Sequence, residues 1–378
     1  HHIEIVKRLQ FSSIILPFLL FLMKSSLGIN FIFHTIALGG GMERYTLDLL
    51  KHFSNQGYRI RIIARKVKCQ DILDLSYIEL IHLPDKTPLN RLNNYLFENK
   101  ALHHINPNWP TISLSNVPGK TDIAVTGGTH IGHLRNRKAA WKGLFNYLTI
   151  AHEKAFYHQA RYVVAHSQAT ANEVTKDYLV QNKNVICLYP TVDEKVFNLD
   201  ARKNRAENRL KMGVRPDQFM LLFPSNDHAR KGAALILEAV QQFNDNVVLV
   251  VAGKTPLHGN QVINLGYCSE MACLYACADA SILASAYEPF GLVGPESILC
   301  GTPTILASGV GAAEVLKAPA CLTFELNLAS LVQTIKMAIE QFPNPHDGLK
   351  NPAQYIDYPY QLSEHVQALI NLLPQSHS

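Results

Sequence analysis

Cysteine is scarce in this chain. Seven in 378 residues are too few for a disulfide scaffold. No C-x-x-C pair occurs, so the spacing that marks a structural zinc site is missing too. The nearest approach to a ligand cluster is Cys268, Cys273 and Cys277, which fall in an apolar helical run and read as buried thiols. Reduced thiols fit a cytoplasmic protein. A long apolar run is also lacking. Phe11 to Met23 spans only 13 residues and is broken by Pro17, whereas a spanning helix needs about 20. Lys7 and Arg8 precede that run as in a signal peptide, but no small-residue cleavage site follows. Charge of one sign is scarce as well: 35 Lys and Arg against 30 Asp and Glu leave +5, too mild and too dispersed for a nucleic-acid surface. Hydrophobic residues make up 47% and charged residues 17%, which excludes a disordered or low-complexity chain. No repeat of short period is present.

Three local basic runs stand out: Arg59, Arg61, Arg65, Lys66 and Lys68; Arg135, Arg137, Lys138 and Lys142; and Arg202, Lys203, Arg205, Arg209 and Lys211. They read equally as solvated faces or as contacts to an anionic membrane surface, where each basic residue adds roughly 1 kcal/mol.

The length suggests two domains of ~100–200 residues. Met23 opens Met-Lys-Ser-Ser-Leu-Gly-Ile-Asn-Phe-Ile-Phe, a normal start leading into a strand, so residues 1–22 read as an extension outside the fold. Continuous β-rich runs then alternate with helical stretches. Ile29–Phe33, Ile60–Ala64, Ile112–Leu114, Ile123–Val125, Tyr162–Ala165 and Val185–Leu188 read as strands, with helices over Glu43–Gln56, Ala139–His158 and Ala169–Leu179. After a polar boundary segment, Asp200–Gln218, a second series follows. Its strands are Met220–Phe223, Val247–Val251, Ile263–Leu265, Ala280–Leu283, Thr304–Leu306 and Leu322–Phe324. Its helices are Lys231–Phe243, Glu270–Cys277, Val293–Leu299 and Leu328–Gln341. The chain therefore reads as α/β with two doubly wound domains, 23–200 and 201–356, and a C-terminal helix and tail over 357–378. Ligands of such domains bind outside the carboxyl ends of the strands.

Four motifs sit at those ends. Gly39-Gly40-Gly41 follows the first strand and opens a helix, where backbone N–H groups can approach a phosphate or serve an ordinary tight turn. It is not G-x-G-x-x-G, and Ala64, Arg65 and Lys66 stand where a dinucleotide site would place an acidic residue. Arg230-Lys231-Gly232 opens a helix in the second series. Cations there oppose the helix dipole, so the pair reads as an anion site for a diphosphate rather than as idle charge. Glu288-Pro289-Phe290-Gly291-Leu292, then Glu296, follows the buried strand Ala280–Leu283. Gly291 and Leu292 would present free amides at a helix start, and both carboxylates could accept sugar hydroxyls. The alternatives are a solvated Glu288 and a Glu296 that complements the helix dipole. Thr126-Gly127-Gly128-Thr129-His130 places a histidine at a strand's carboxyl end, where it is either a contact or a plain loop residue.

At these residues the chain resembles the retaining glycosyltransferases of family 4, from about Asn30 to about Leu373. The glutamate pair around Pro-Phe-Gly is the most specific part. Gly301-Thr-Pro-Thr-Ile305, Gly311-Ala-Ala-Glu314, Arg230-Lys231-Gly232 and the first loop ending in Glu43-Arg44 support it. Gly127-Gly-Thr-His130, Glu153 to Ser167, and Tyr189-Pro-Thr-Val-Asp193 with Phe197 are most similar to the branch that glucosylates lipopolysaccharide core. The resemblance implies the GT-B architecture: two Rossmann-like domains facing a cleft, with the C-terminal helix crossing back to the first. It implies that Arg230 and Lys231 bind the donor diphosphate and that amides of Phe290, Gly291 and Leu292 support the sugar and phosphate. Glu288 would hold hydroxyls of the transferred sugar, Glu296 the ribose, and His130 the donor sugar near the reacting carbon. Gly40 and Gly41 would face the diphosphate. Two departures matter. The pattern has an acidic residue where Gly127 stands, so a proposed acceptor-activating carboxylate is missing. The usual Tyr-Asn-Gly-Val-Asp reads Tyr189-Pro-Thr-Val-Asp193.

The chemistry to be served is departure of a nucleoside diphosphate, whose developing charge Arg230, Lys231 and helix amides would stabilise. No two aspartates stand two apart, so D-x-D is absent and metal-independent transfer without a cofactor is expected. Retention is implied by the resemblance alone; without a placed nucleophile it points to same-face attack, the leaving phosphate taking the acceptor's proton. Expected partners are a nucleotide sugar and a glycan or glycolipid acceptor such as lipopolysaccharide core, with peripheral contact to an anionic membrane and no nucleic acid. The alternatives are a nucleotide-sugar 2-epimerase on the same fold and a non-catalytic sugar-nucleotide-binding homologue.

Overall fold

Strands without a polar face need cover on both sides, which parallel sheets with helical crossovers provide. The computed structural model describes residues 28–37, 39–69, 77–135, 143–342 and 348–374. The expected extension 1–22, and Arg137, Lys138 and Lys142 of the second basic run, lie outside the described residues. The chain divides into two compact units. The first holds the residues up to Ala165, Ala171–Leu188 and the stretch from Leu362; the second holds His166–Thr170 and Tyr189–Gln361.

The first unit runs β1 (Gly28–Ile36), α1 (Gly41–Asn55), β2 (Arg59–Val67), β3 (Ile78–His82), α2 (Asn90–Ala101), β4 (Thr111–Ser113), β5 (Thr121–Thr126), α3 (His130–Arg135), α4 (Leu144–Gln159), β6 (Ala160–Ala165), α5 (Gln168–Lys176) and β7 (Val185–Cys187). Its strands are all parallel, in the order β3-β2-β1-β4-β5-β6-β7. β1 and β2 pair from Gly28↔Arg59 to Ile36↔Val67. Three elements were not legible: β3, α2 and the short helix α3, which begins at His130 where the sequence reads as a loop. β3, Ile-Glu-Leu-Ile-His, is a half-exposed edge strand rather than a continuous apolar run. α2, Asn-Arg-Leu-Asn-Asn-Tyr-Leu-Phe-Glu-Asn-Lys-Ala, carries four asparagines, which are poor helix formers, and is held by tertiary packing of Phe97 and Ala101.

The second unit runs α6 (Arg205–Lys211), β8 (Phe219–Pro224), α7 (Ala233–Val240), β9 (Val247–Ala252), β10 (Val262–Gly266), α8 (Met271–Cys277), β11 (Ala280–Leu283), α9 (Val293–Leu299), β12 (Thr304–Ala307), β13 (Cys321–Phe324) and α10 (Leu328–Gln341). The parallel order is β10-β9-β8-β11-β12-β13. Every residue of β8 and β9 is buried. The last helix, α11 (Leu362–Leu372), belongs to the first unit, where Tyr45 of α1 and His365 of α11 meet with OH and Nε2 2.7 Å apart. In each sheet the strand order reverses once, between β1 and β4 and between β8 and β11. A doubly wound sheet opens its binding crevice at that switch point, outside the carboxyl ends.

The third basic run is not a surface patch. Arg205 and Arg209 are buried against Asp279, with Nη2···Oδ1 2.5 Å and Nη1···Oδ2 3.0 Å. Asp279 also accepts the Met220 N–H at 2.6 Å, and Arg209 Nη1 donates to Cys277 O at 2.8 Å. Lys203 and Lys211 pair on the surface with Asp200 and Glu207. The segment expected as a polar boundary, Asp200–Gln218, thus lies within the second unit and pins α6 to the entry of β8 and β11. Removing one partner of a buried ion pair leaves uncompensated charge and costs about 3–5 kcal/mol. Asp279→Ala should therefore lower the thermal midpoint of the second unit by roughly 10 °C. Scanning calorimetry checks it, and a shift within a degree of wild type would contradict this role.

Candidate active site

At the second unit's switch point, two loops leave β8 and β11 side by side. The β8 loop turns into α7 at Gly232, which has φ +76°; a Cβ there would lie 2.2 Å from Ala284 O in the other loop. Only glycine permits this approach. Ala284 N in turn donates to Lys231 O at 3.3 Å. α7 therefore begins at Ala233, two residues later than expected, and Arg230 and Lys231 lie in the turn before it. Arg230 Nη1 reaches Glu288 Oε2 at 2.8 Å, with Asp227 3.5 Å from Arg230 Nε. Lys231 Nζ donates to Pro224 O at 2.9 Å. Burial presses the Lys231 ammonium below the usual lysine range, against the upward pull of Glu288. An anion arriving there would relieve that desolvation cost.

The β11 loop is fixed from below. Gly311 N donates to Glu288 O at 3.0 Å and Ala312 N to Phe290 O at 2.7 Å. Phe290 is buried and packs on Tyr189 and Tyr358, with ring centroids 5.7 and 5.6 Å away. Its side chain thus anchors the loop, leaving its amide as the part that can meet a ligand. Gly291 takes φ +94°, and the N–H groups of Phe290, Gly291 and Leu292 donate to no group among the described residues. Glu296 lies in the first turn of α9, is 5% exposed, and accepts the Tyr275 hydroxyl at 3.0 Å. The structure thus brings together Arg230, Lys231, Glu288 and the 290–292 amides. Glu296 stands one turn deeper. Tyr275, which orients it, carried no signal in the sequence because it lies in an apolar helical run.

The remaining candidates are in the first unit. Gly40 is the N-cap of α1 and Gly41 its first residue; both are exposed. Glu43 Oε2 lies 2.4 Å from where a Gly40 Cβ would stand, so a carboxylate already sits at this helix N-terminus. His130 opens α3, its backbone N–H donating to both oxygens of Glu153 at 2.9 and 3.1 Å and its Nε2 lying 3.0 Å from Asn146 Oδ1. Tyr178 OH also donates to Glu153. Burial pushes the Glu153 carboxyl up to about 7, against these hydrogen bonds. Beside β1, Glu98 bridges two histidines, Oε1 to His34 Nε2 at 2.9 Å and Oε2 to His152 Nδ1 at 2.8 Å. Burial would raise the Glu98 carboxyl, but those hydrogen bonds hold it below the usual range. Neither cluster was legible, because its members are 23 to 64 residues apart.

Among the described residues no group of three His, Cys, Asp or Glu side chains could hold a metal ion. Burial pushes the Cys277 thiol up to about 12, with Cys273 adding to the rise.

Two family models match the chain: Glycosyltransferase Family 4 over residues 39–196 and Glycosyl transferases group 1 over residues 204–347. A probable transglycosylase of Burkholderia thailandensis is 34% identical over 296 residues, 77% of this chain and 80% of that protein. The chain belongs to the family 4, group 1 glycosyltransferases. Two solved structures are similar to this glycosyltransferase in fold. One is WaaG, a glycosyltransferase involved in lipopolysaccharide biosynthesis, with TM-score 0.75, 18% identity, and 91% of this chain and 99% of that one covered. The other is Anabaena HepE in complex with UDP and glucose, with TM-score 0.70, 16% identity, and 91% and 98% covered. The two parallel sheets described above have the GT-B architecture.

The raised Glu153 carboxyl has a direct consequence for this glycosyltransferase. Its folded pKa of about 7 exceeds the ordinary 4.5, so its contribution is full below 4.5 and is lost as pH rises through 7. Glu153→Gln should be less sensitive than wild type to a change from pH 5 to pH 8, by up to about 3 kcal/mol. Urea denaturation at both pH values measures this, and equal pH sensitivity in the two proteins would contradict the buried neutral carboxyl.

Proposed function

We propose that this glycosyltransferase moves a hexose from a nucleoside diphosphate sugar to a glycan or glycolipid acceptor, with retention and without a metal ion. The observation that carries the reading is the switch point of the second unit, where Arg230 and Lys231 stand beside Glu288 and three N–H groups that donate to no group among the described residues. Cations and preorganised N–H dipoles stabilise a leaving diphosphate in a water-poor site. Arg230 would exchange its Glu288 partner for phosphate oxygens, releasing that carboxylate for hydroxyls of the transferred sugar. Glu296, held by Tyr275, would accept from the ribose hydroxyls. In the transfer step the C1–O bond breaks with its electron pair passing to the diphosphate oxygen. The acceptor hydroxyl bonds to C1 on the same face, and its proton passes to the phosphate.

The named relatives guide the choice of substrates to assay. HepE has been seen with UDP and glucose, and WaaG is involved in lipopolysaccharide biosynthesis. UDP-glucose and a lipopolysaccharide core acceptor are therefore the first pair to test. The proposed place of action is the cytoplasmic face of the membrane. No helix among the described residues is long and apolar enough to cross one.

The test is nucleoside diphosphate release from a panel of sugar nucleotides, with and without acceptor and EDTA. One donor should turn over, acceptor should accelerate release, and EDTA should leave the rate unchanged. Lys231→Ala should fall by about 100-fold or more, the scale of losing one transition-state donor. Strict dependence on a divalent metal would overturn the metal-free part. Epimerised free nucleotide sugar, or no turnover of any donor, would overturn the transferase reading.

A further inference from the structure

A pocket of about 320 Å³ opens in the first unit between α2 and the β2–β3 side of its sheet. That is within the size range of small-ligand sites, about 300–1,000 Å³. Asn93, Leu96, Phe97 and Lys100 line it from α2 at positions i, i+3, i+4 and i+7, one face of the helix. Leu83 and Pro84, just past β3, complete an apolar wall with Leu96 and Phe97.

The polar part of the lining is basic. Arg65, Lys86, Lys100 and His104 contribute, and among the described residues no carboxylate lines the pocket. Arg65 is 4% exposed, with Nη1 on Asp85 at 2.5 Å and Nη2 on Asn90 at 2.9 Å, and its Nε has no hydrogen-bond partner among the described residues. Asp85 thus balances Arg65. Lys86 and Lys100 have no ion-pair partner among the described residues, so their two charges stay uncompensated at the pocket. A buried guanidinium N–H without an acceptor costs free energy that an incoming oxygen would recover.

We propose that this pocket binds a phosphomonoester carried on a single apolar chain. The dianionic head matches the two lysine charges, where a carboxylate would match one, and its oxygens give the Arg65 Nε–H an acceptor. The chain lies on Leu83, Pro84, Leu96 and Phe97. Free inorganic phosphate shares the head chemistry but leaves that wall bare. The site is built from first-unit residues alone and does not depend on the donor reading made for the second unit.

The experiment is calorimetric titration of the full chain with three probes: dodecyl phosphate below its micelle concentration, inorganic phosphate, and the uncharged dodecyl maltoside. Dodecyl phosphate should bind one to one, at least tenfold tighter than inorganic phosphate, and the maltoside should not bind. Lys86 and Lys100 are exposed, so the K86E/K100E variant should fold, and it should weaken dodecyl phosphate tenfold or more. K51E/K68E, on the same unit but away from the pocket lining, should leave it unchanged. Nucleoside diphosphate affinity should be the same in both variants, which separates failure here from failure of the donor reading. Equal affinity for inorganic phosphate would overturn the role of the apolar wall. Binding of the maltoside, an unaffected K86E/K100E, or equal loss in K51E/K68E would overturn the site.

Discussion

The donor-side geometry depends on one close backbone approach, that of Gly232 to Ala284. A Cβ at residue 232 would stand 2.2 Å from the Ala284 carbonyl oxygen, and φ +76° excludes most side chains in any case. That contact joins the loops leaving β8 and β11, neighbouring strands on either side of the point where the strand order reverses. Because the loops touch there, Arg230 meets Glu288 at 2.8 Å and Lys231 can fold back to the end of β8. A second approach of the same kind holds the far side, where Gly311 lies against the Pro289 carbonyl. The charged groups are thus placed by backbone geometry, before any ligand contributes.

A few charged side chains are buried, and each of these has a partner. Arg205 and Arg209 converge on one aspartate that also holds the start of β8, so two members of a run that reads equally as a solvated face or a membrane contact form a buried clamp. Glu98 between two histidines and Glu153 beneath Tyr178 do the same in the first unit. Burial raises both carboxyls, but the net shifts of the two glutamates are opposite. Two histidines hold Glu98 ionised, whereas the hydrogen bonds to Glu153 do not offset its desolvation. Lys86 and Lys100 differ in lying together on one pocket beside the buried Arg65.

Most of the fold was legible because its strands are buried on both faces. Val-Val-Leu-Val-Val-Ala of β9 admits little else. β3 and α2 were not, since an exposed edge strand alternates and an asparagine-rich helix forms only by packing. At the site, Glu288, Glu296, Gly291 and the Arg-Lys pair could be named because local sequence fixes them to loop and helix starts. What sequence did not show is pairing. Tyr275 under Glu296, Glu153 under His130, and Phe290 as an anchor between two tyrosines each require the folded chain to bring distant residues together.

The central claim is that the second unit's switch point is a nucleoside diphosphate site centred on Lys231. The most direct measurement is calorimetric titration of UDP, GDP and ADP into wild type and Lys231→Ala, with the fold of the variant checked by circular dichroism. One diphosphate should bind wild type with unit stoichiometry and bind the folded variant at least tenfold more weakly. Equal affinity in the two proteins, or no binding of any nucleoside diphosphate to wild type, would contradict it.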